Sequence, residues 1–210
     1  MTAMILAAGR GERMRPLTDV LPKPLLEVQG KPLIVWHLEK LKSAGFKDIV
    51  INIAHLGYKI PKFLGNGEDY GLNISYSDEQ ETGALESAGG IKKALSLLGK
   101  EPFLVVNGDI WCDYNFSLDF NLGNSLAHLI LVSNPEHNSK GDFLYQESYY
   151  TFSGIGYYSK KVFENLSLGK HPLAPILKEL VTQKKINFEL HSGVWSDIGT
   201  PQRLAQVNTL

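Results

Sequence analysis

The 210-residue chain is 43% hydrophobic and 20% charged, a composition typical of a soluble globular protein with one domain and a substantial core. Its formal net charge of −1 argues against nucleic acid or an anionic membrane surface as a partner. Cys112 is the only cysteine, which excludes an internal disulfide and suits a reducing compartment. No secretory leader pattern opens the chain, and no apolar run approaches the roughly 20 residues that cross a bilayer. We therefore expect a cytoplasmic protein without a membrane partner.

The first predicted element is a buried strand over 3–8, followed by a loop that contains Gly9 and Gly11. Glycines let the backbone approach a ligand closely, and successive N–H groups in such a loop form an anion-binding concavity. Guanidinium groups can bind phosphate oxygens bidentately. The cations of this stretch are Arg10, Arg13, Arg15 and Lys23. The pattern predicts a polyphosphate site at the C-terminal end of the first strand, where ligands of open α/β sheets usually bind.

Two familiar phosphate-binding loops do not match this stretch, and a simpler interpretation stays open. A Walker loop requires Gly-Lys-Ser or Gly-Lys-Thr after the glycines, and neither follows here. A dinucleotide fingerprint requires a third glycine at the start of a helix, but Met14 occupies that position and Pro16 follows. A strand-to-helix turn that merely carries surface arginines accounts equally well for the glycines taken alone.

Residues 22–54 predict a βαβ unit. The segment 22–26 is expected to be rigid and extended, because a proline disfavours helical geometry in the residue before it. A helix is predicted to begin with Pro32 in its first turn and to end at Gly45, before a strand over 48–54. A strand, a helix and another strand indicate a parallel sheet. His37 lies beside the apolar stripe of this helix, and we expect it to be packed or exposed rather than catalytic.

The remaining predicted elements continue this α/β pattern and become mixed in the second half. The run 102–106 is continuously apolar, which is typical of a buried central strand. The other predicted strands cover 72–77, 127–133, 143–145, 150–158, 188–191 and 194–198. The other predicted helices cover 57–64 (broken near Pro61), 86–98, 159–166, 173–184 and the stretch from Pro201 onward.

Two aspartates at the ends of predicted strands are candidate metal ligands. Asp109 ends the string Asn107-Gly108-Asp109, so it should lie at the same sheet edge as the glycine loop. A carboxylate beside polyphosphate would repel it unless a cation such as Mg²⁺ lies between them. Asp197 ends a short strand, and Thr200 is a candidate N-cap of the last helix. The simpler roles are an Asx turn for Asp109 and a helix start for Asp197; if both bind metal, only the fold can bring them together.

Two further segments carry candidate ligand contacts. The segment 81–90 precedes a helix, with Glu86 or Ser87 as a candidate cap and with glycines that permit the close approach of a flat ring, although it is also a common loop-to-helix sequence. Gly-Asp-Phe at 141–143 and Thr-Phe-Ser-Gly-Ile-Gly at 151–156 contain glycines that would suit strand bulges. The Asp142 carboxylate in the first string can accept two hydrogen bonds from sugar hydroxyls.

Taken together, these motifs resemble the sugar-1-phosphate nucleotidyltransferases. The stretch 6–18 with Lys23-Pro24 matches every fixed position of the signature L-A-A-G-x-G-x-R-M-x-P-L-T followed by K-P. The strings N-G-D, G-D-F, F-S-G and W-x-D-I-G-T-P follow in the family's order. The resemblance implies a single α/β domain: a Rossmann-like, mixed and mainly parallel sheet flanked by helices, as in GT-A-like nucleotide-diphospho-sugar transferases. It further implies a nucleotide-binding half over 1–110 and a sugar-phosphate-binding half, the sugar-side lobe, over 111–210.

The resemblance also implies a role for each motif. Arg15 is expected at the β- and γ-phosphates, Lys23 between the α-phosphate and the sugar phosphate, and Asp109 with Asp197 on Mg²⁺. The implied nucleotide-binding residues are Leu6, Ala8, Gly9, Arg10, Gly11, Glu12, Arg13, Arg15, Lys23, Glu81, Gly83, Glu86, Gly89 and Asn107. The implied sugar-phosphate-binding residues are Asp142, Ser153, Gly154 and Trp195.

Within the family, the short length and the strings L-E-x-x-G-G, N-P-x-H, G-D-F and T-F-S-G-I are most similar to the branch that uridylylates N-acetylmuramate 1-phosphate. This implies UTP and a sugar 1-phosphate as substrates, peptidoglycan recycling as the setting, and a monomer or small homo-oligomer. One alternative is transfer from GTP, dTTP or UTP to mannose or glucose 1-phosphate. Another is an inactive regulatory subunit that binds nucleotide sugars, although the presence of Arg15, Lys23, Asp109 and Asp197 argues against it.

Overall fold

The structure is a computed structural model that describes residues 1–99 and 102–209. Its strands are β1 (Ala3–Leu6), β2 (Glu27–Val28), β3 (Lys31–Pro32), β4 (Asp48–Ile53), β5 (Asn73–Asp78), β6 (Phe103–Asn107), β7 (Ile110–Cys112), β8 (Ala127–Val132), β9 (Phe143–Tyr145), β10 (Ser148–Tyr158), β11 (Ile186–Leu190) and β12 (Trp195–Asp197). Its α-helices are α1 (Leu17–Val20), α2 (Leu33–Ser43), α3 (Lys59–Leu64), α4 (Glu86–Ala94), α5 (Leu173–Thr182) and α6 (Pro201–Val207). Short 3₁₀ turns cover Glu12–Met14, Lys23–Leu25, Glu68–Tyr70, Glu136–Asn138 and Lys160–Val162.

The main sheet has the strand order β11-β8-β10-β6-β1-β4-β5, with β9 paired to β10. Strand β1 is parallel to β4 and β6, β4 is parallel to β5, and β11 is parallel to β8. Strand β10 is antiparallel to β6, β8 and β9. The predicted fold class, a mixed and mainly parallel sheet flanked by helices, is therefore confirmed.

Both faces of the sheet are covered because its central strands β1, β4 and β6 are largely apolar. Along β1, Ala3 and Ile5 pack into one core cluster with side chains of α2 and α3, whereas Met4 packs into a second cluster with α4 and α5. Alternate side chains of a strand point to opposite faces, so a continuous apolar run requires helices on both sides. Each large side chain buried in this way stabilises the fold by about 1.5–3 kcal/mol.

A third, smaller core cluster joins the glycine loop to the C-terminal part of the chain. Its buried members are Met14, Leu26, Val28, Leu33, Ile198 and Val207. Met14 is completely buried there, which anchors the middle of the 9–18 stretch against α6 and the residue that follows β12. The same cluster therefore holds both ends of the predicted site.

Three predicted elements were wrong in detail. The helix expected over 159–166 is only the 3₁₀ turn Lys160–Val162, because Phe163 is the one completely buried anchor of this segment and so short a helix is marginal without an apolar face. The segment expected to be extended contains the 3₁₀ turn Lys23–Leu25, whose second residue is a proline; an N–H is not needed there. Helix α3 is not broken at Pro61, since this proline lies in its first turn.

Three short strands, β2, β3 and β7, had no sequence signal, whereas β12 lies within the strand predicted over 194–198. Strands β2 and β3 pair over two residues and β7 pairs with β12 over three, too short for a period of two to be visible in β2, β3 and β7. None of the helices in residues 1–99 and 102–209 combines the length and apolarity that a membrane span requires.

Candidate active site

A cavity of about 430 Å³ opens at the carboxyl ends of β1, β4 and β6. Leu6 lies in register with Asn52 on one side and Asn107 on the other, and all three line the cavity. Parallel strands end at one edge of a sheet, so this arrangement follows from the βαβ connections. The predicted nucleotide-binding residues that line the cavity are Leu6, Ala8, Gly9, Gly11, Glu12, Arg13, Lys23, Glu86 and Asn107. The predicted metal ligand Asp109 lines it as well.

Other lining residues were missed by sequence reasoning. They are Ala7, Pro24, Asn52, Ala84, Ser87, Gly108 and Gly199. All except Asn52 are sequence neighbours of predicted residues, so extending each motif by one or two positions would have found them. Asn52 had a signal of its own, because it is an amide inside the otherwise apolar run of β4, near the end that faces the site.

The two glycines of the loop have different structural reasons. Gly11 has a φ of +67°, and a Cβ there would lie 2.9 Å from Cγ2 of Thr18, whose hydroxyl donates to the Gly11 carbonyl at 2.8 Å. A glycine is therefore required at that position by the backbone itself. At Gly9 a Cβ would meet nothing within 4 Å, and φ is not positive. The fold gives no reason for glycine at position 9, whereas close approach of a ligand would.

The arginines of the loop are not equivalent. Arg13 lines the cavity, but Arg15 does not, and its Nε is 2.8 Å from Oδ1 of Asp19. Met14 points into the third core cluster, so the turn Glu12–Met14 directs Arg15 away toward α1. Arg10 forms only a loose, exposed pair with Glu12 at 3.9 Å and is likewise outside the cavity lining. The structure thus does not bring the predicted Arg15 to the cavity and brings Arg13 instead.

Lys23 and Asp109 meet in the cavity wall. Nζ of Lys23 donates to Oδ2 of Asp109 at 2.6 Å, with 10% of the lysine side chain and 38% of the aspartate side chain exposed. The 3₁₀ turn Lys23–Leu25 holds the lysine, and Gly108 lets the chain turn after β6 because a Cβ there would lie 2.7 Å from the Leu6 carbonyl oxygen. A largely buried cation and a carboxylate are therefore held at the same wall.

Asp197 reaches the neighbourhood of Asp109 through the backbone. In the β7–β12 pair it lies opposite Ile110, and the N–H of Ile198 donates to the carbonyl of Asp109 at 2.7 Å. Its own Oδ1 is 2.5 Å from Nη1 of Arg203 and 3.0 Å from Nε2 of His137. Asp197 is not itself a lining residue, but Gly199 is. The fold thus brings Asp197, the last residue of β12, next to Asp109, which lies in the turn just before β7.

The donor set suits Mg²⁺ in chemical type. Mg²⁺ is usually held by one or two carboxylates together with phosphate oxygens of a ligand. The recorded contacts use Oδ2 of Asp109 and Oδ1 of Asp197, so each carboxylate keeps a second oxygen for such a cation. In residues 1–99 and 102–209 no group of three or more His, Cys, Asp or Glu side chains could hold a metal, so phosphate oxygens would have to complete the site.

The segment 81–90, which by resemblance would line the nucleoside base and is called the base segment below, is only partly at the cavity. Glu86 lines it with a φ of +60°, an unusual backbone conformation for a side chain of this size. Glu81 and Gly83 are exposed and outside the lining. Gly89 does not face the cavity: a Cβ there would overlap the carbonyl oxygen of Gly169, so this glycine is needed for packing.

Helix α4 is capped by a distant carbonyl rather than by a side chain of the base segment. The N–H groups of Ala88 and Gly89 donate to the carbonyl of His171 at 3.0 and 3.1 Å, and no side-chain cap is present. The expected cap from Glu86 or Ser87 was therefore wrong. A segment of the second half of the chain packs on the helix start and takes over this function.

Three of the predicted sugar-side residues, Ser153, Gly154 and Trp195, lie together outside the cavity lining, and Gly154 packs against the lining residue Asn107. Gly154 has a φ of +84°, and a Cβ there would lie 2.7 Å from Nδ2 of Asn107. Nε1 of Trp195 donates to the Ser153 carbonyl at 2.9 Å, and the Ser153 hydroxyl donates to the carbonyl of Ile130 at 2.7 Å. This site coincides with the register shift of β10, which the sequence indicated as a bulge.

Asp142 lies beside the same bulge. Its Oδ2 accepts from the N–H of Phe152 at 2.8 Å and its Oδ1 accepts from Nδ2 of Asn138 at 3.1 Å. The carboxylate therefore already has two local donors, and a sugar hydroxyl would add to these contacts. Its predicted contact with a sugar stays a prediction.

His37 is a buried histidine beside the site. It is 2% exposed, Nε2 has no hydrogen-bond partner among the described residues, and burial, reinforced by the charge of Lys40, lowers its pKa to about 4. At neutral pH it is an uncharged packing residue on the core side of α2. The predicted packed role fits this environment.

We expect the free energy of unfolding to fall as the pH is lowered from 6.5 toward 4. The unfolded chain takes up a proton on His37 at its ordinary pKa of 6.5, whereas the folded chain does so only near 4. The unfolded state therefore binds more protons in this window, and His37 contributes a loss of about 3 kcal/mol at its lower end. Urea unfolding of the wild type and His37→Gln at several pH values measures this. Equal pH slopes for the two proteins would contradict it.

Comparison with known proteins extends these observations to the whole chain. A family model described as nucleotidyl transferase matches residues 2–122. An N-acetylmuramate alpha-1-phosphate uridylyltransferase of Neisseria meningitidis serogroup B is 51% identical over 100% of this chain and 98% of that protein. A mannose-1-phosphate guanyltransferase of Hypocrea jecorina is 35% identical over 96% of this chain, which spans only 62% of that protein.

A solved structure has the same fold. A crystal structure assigned to a glucose-1-phosphate thymidylyltransferase of Bacillus anthracis, in complex with a sucrose, superposes with a TM-score of 0.87 at 25% sequence identity. The superposition covers 100% of this chain and 94% of the other. The likeness therefore includes both the cavity and the sugar-side residues.

Proposed function

This chain belongs to the nucleotidyltransferase family, and from that premise we propose that it transfers a uridylyl group from UTP to N-acetylmuramate 1-phosphate. The products are UDP-N-acetylmuramate and pyrophosphate. The observation that carries the reaction type is the cavity where the open backbone at Gly9, the buried Lys23 and the carboxylate of Asp109 converge. Support for the choice of substrates comes from the Neisseria relative, which is similar over its whole length.

The reaction is a displacement at phosphorus. An oxygen of the sugar phosphate attacks the α-phosphorus in line, while the bond from that phosphorus to the bridging oxygen breaks and pyrophosphate leaves. The attacking oxygen is already anionic, so no general base is needed. The protein's task is to hold two highly charged substrates in line against their mutual repulsion.

Three features of the cavity wall serve this task. We propose that backbone N–H groups of the glycine loop bind the phosphates and that Arg13 replaces Arg15 as the side chain on the β- and γ-phosphates. Arg13 lines the cavity and occupies the arginine position of the signature that the loop resembles. Lys23, at the wall with Asp109, is placed in our proposal between the α-phosphate and the sugar phosphate.

We propose that Asp109 and Asp197 would hold Mg²⁺. The ion, when bound, neutralises phosphate charge and makes the α-phosphorus more electrophilic. Asp142, Ser153, Gly154 and Trp195 are proposed for the sugar phosphate, because Gly154 packs against the lining residue Asn107, while Trp195 donates to Ser153 and Asp142 accepts from Phe152 beside it. We also propose a cytoplasmic enzyme of peptidoglycan recycling, monomeric or a small homo-oligomer, whose nucleotide half spans 1–110 and sugar half 111–210.

The test is pyrophosphate release with Mg²⁺ across a matrix of nucleoside triphosphates and sugar 1-phosphates. Turnover confined to UTP with N-acetylmuramate 1-phosphate is expected. Turnover with GTP, dTTP or UTP and mannose or glucose 1-phosphate would keep the mechanism and change the substrates, as the 35% identical guanyltransferase makes worth testing. No turnover in any combination, with nucleotide binding intact, would favour a regulatory subunit and overturn the proposal.

Gly9→Ala is expected to raise the KM for the nucleoside triphosphate roughly tenfold, the loss of about one hydrogen bond to a charged group, without lowering Tm. The open space around Gly9 accommodates the added methyl group without a clash in the fold. The methyl group would, however, block a phosphate that approaches the backbone. Gly11→Ala is the matched contrast, because it clashes with Thr18 and should lower Tm. Steady-state kinetics and thermal unfolding measure both; an unchanged KM for Gly9→Ala would argue against phosphate binding at this loop.

A further inference from the structure

We infer that Glu79 is a positioning residue for the nucleotide cleft, acting through Asn52. The inference rests on the proposed function, since Glu79 would fix the distance between the base segment and the glycine loop that follows β1, which we assign to the phosphates and call the phosphate loop. Glu79 does not line the cavity, follows β5 directly, and is completely buried.

The two side chains form a continuous hydrogen-bonded bridge. The N–H of Ala7 donates to Oδ1 of Asn52 at 2.7 Å, and Nδ2 of Asn52 donates to Oε1 of Glu79 at 2.8 Å. The other carboxylate oxygen, Oε2, accepts from the N–H of Leu85 at 2.8 Å. Ala7 begins the phosphate loop and Leu85 lies between the lining residues Ala84 and Glu86. The bridge therefore spans two walls of the same cavity.

The polarity of this bridge explains why a carboxylate is needed. Both of its ends, at Ala7 and Leu85, are N–H donors. The Asn52 amide accepts with its oxygen and donates with its nitrogen, so a donor on one side of it requires an acceptor on the other. Two terminal donors can be joined through Asn52 only if the next group accepts on both sides. The carboxylate of Glu79 does so, and a glutamine in its place would leave two donors facing each other.

The surroundings hold this carboxylate in place without a compensating charge. Within residues 1–99 and 102–209, no lysine, arginine or histidine forms an ion pair with Glu79. A Cβ at Gly90 would lie 2.8 Å from both Oε1 of Glu79 and Nδ2 of Asn52, so this glycine lets helix α4 pack directly on the bridge. A buried carboxylate without a paired cation is costly, and hydrogen bonds offset part of that cost. The bridge supplies one hydrogen bond to each carboxylate oxygen.

The bridge should affect the binding of the nucleotide rather than the binding of the sugar phosphate. The bridge joins the loop that we assign to the phosphates to the segment that we assign to the base. The sugar-side residues contact neither Asn52 nor Glu79 in these interactions: Ser153 bonds to Ile130, Trp195 bonds to Ser153, and Gly154 packs against Asn107. Disturbing the bridge should therefore weaken nucleoside triphosphate binding and leave sugar 1-phosphate binding nearly unchanged.

The experiment is a double-mutant cycle of Glu79→Gln and Asn52→Asp. Glu79→Gln should raise the KM for the nucleoside triphosphate roughly tenfold, the effect of one unsatisfied buried donor, with little change in the KM for the sugar 1-phosphate. Asn52→Asp brings two carboxylates into contact and should be at least as harmful. The combined exchange restores the order of donors and acceptors, so it should recover Tm and lower the nucleotide KM at least threefold below that of Glu79→Gln, roughly the size expected for coupled neighbours. Glu68→Gln, an exposed glutamate remote from the cavity, is the matched control.

The outcomes separate this inference from the proposed function. Absence of turnover by the wild type would remove the proposed function. Direct titration of UTP onto the wild type, the two single variants and the combined variant would still report on the bridge. If Glu79→Gln binds nucleotide like the wild type, or if the combined exchange is no better than Glu79→Gln, the positioning role is overturned. If a variant unfolds, protection of the Ala7 and Leu85 amides from hydrogen exchange in the combined variant decides the question, and unprotected amides there count against it.

Discussion

Replacing Asp109 or Asp197 with asparagine is expected to lower kcat by about 10³-fold, the upper range for loss of one preorganised charge contact. Each substitution keeps the shape of the side chain but removes a negative charge from the proposed Mg²⁺ site. The Asp109 substitution also removes the ion pair with Lys23 at 2.6 Å, so the lysine charge is no longer neutralised when substrates bind to this variant. Single-turnover and steady-state pyrophosphate release measure the loss, and thermal unfolding shows whether the fold persists.

Asp113→Asn is the control for these variants, because Asp113 lies just beyond β7, pairs with His191 and is outside the cavity lining. It should retain wild-type turnover. Turnover near the wild-type value in Asp109→Asn or Asp197→Asn would remove the metal role of that residue. A second readout is Mg²⁺ dependence: the concentration needed for half-maximal rate should rise in both variants and not in the control.

Lys23→Met is expected to lower kcat by about 10²- to 10³-fold, with a smaller effect on the KM for the nucleotide. A methionine fills most of the space of the buried aliphatic stem but carries no charge to the α-phosphate region. Asp109 is 38% exposed, so water can solvate its carboxylate once the lysine is gone, and the loss of stability should be small. Steady-state kinetics with both substrates, together with Tm, separate the two effects.

Lys31→Met is the matched control, since Lys31 also forms a short ion pair, with Glu39 at 2.5 Å, but lies away from the cavity. It removes the same charge from the chain and should leave turnover unchanged. Equal losses in both lysine variants would mean that the effect of Lys23→Met is one of general charge or stability. A Lys23→Met enzyme with normal kcat would exclude Lys23 from the chemistry.

Local patterns predicted the elements that position the cavity. The strands β1, β4 and β6 were recognisable because a strand buried on both faces is a nearly continuous apolar run. The helices between them were recognisable with them. The Gly9–Gly11 loop and the string Asn107-Gly108-Asp109 were recognisable for the same reason, since each interrupts such a run. The resemblance to a known family added roles that no periodicity carries.

Other parts of the site had no local signal. Arg13 and Arg15 are the same residue type, and although the family signature fixes only Arg13, it is the burial of Met14 between them that leaves Arg13 rather than Arg15 at the cavity. Gly89 and Gly154 are both glycines in candidate ligand segments, yet they are needed where the Gly169 carbonyl and the Asn107 side chain approach. Such contacts depend on which distant segment packs there, so the glycines by themselves cannot distinguish a ligand from a neighbour.

The sequence by itself determined the fold class, the edge of the sheet at which the cavity opens, and the residue types available there. These follow from periodicity, from the direction of parallel strands and from the chemistry of glycine, lysine and aspartate. Only the tertiary structure decided that Lys23 pairs with Asp109, that Asp197 lies opposite Ile110, and that Glu79 and Asn52 join two walls of the cavity. Each of these contacts joins residues that are distant along the chain, and their meeting depends on strand order and register, which no local pattern encodes.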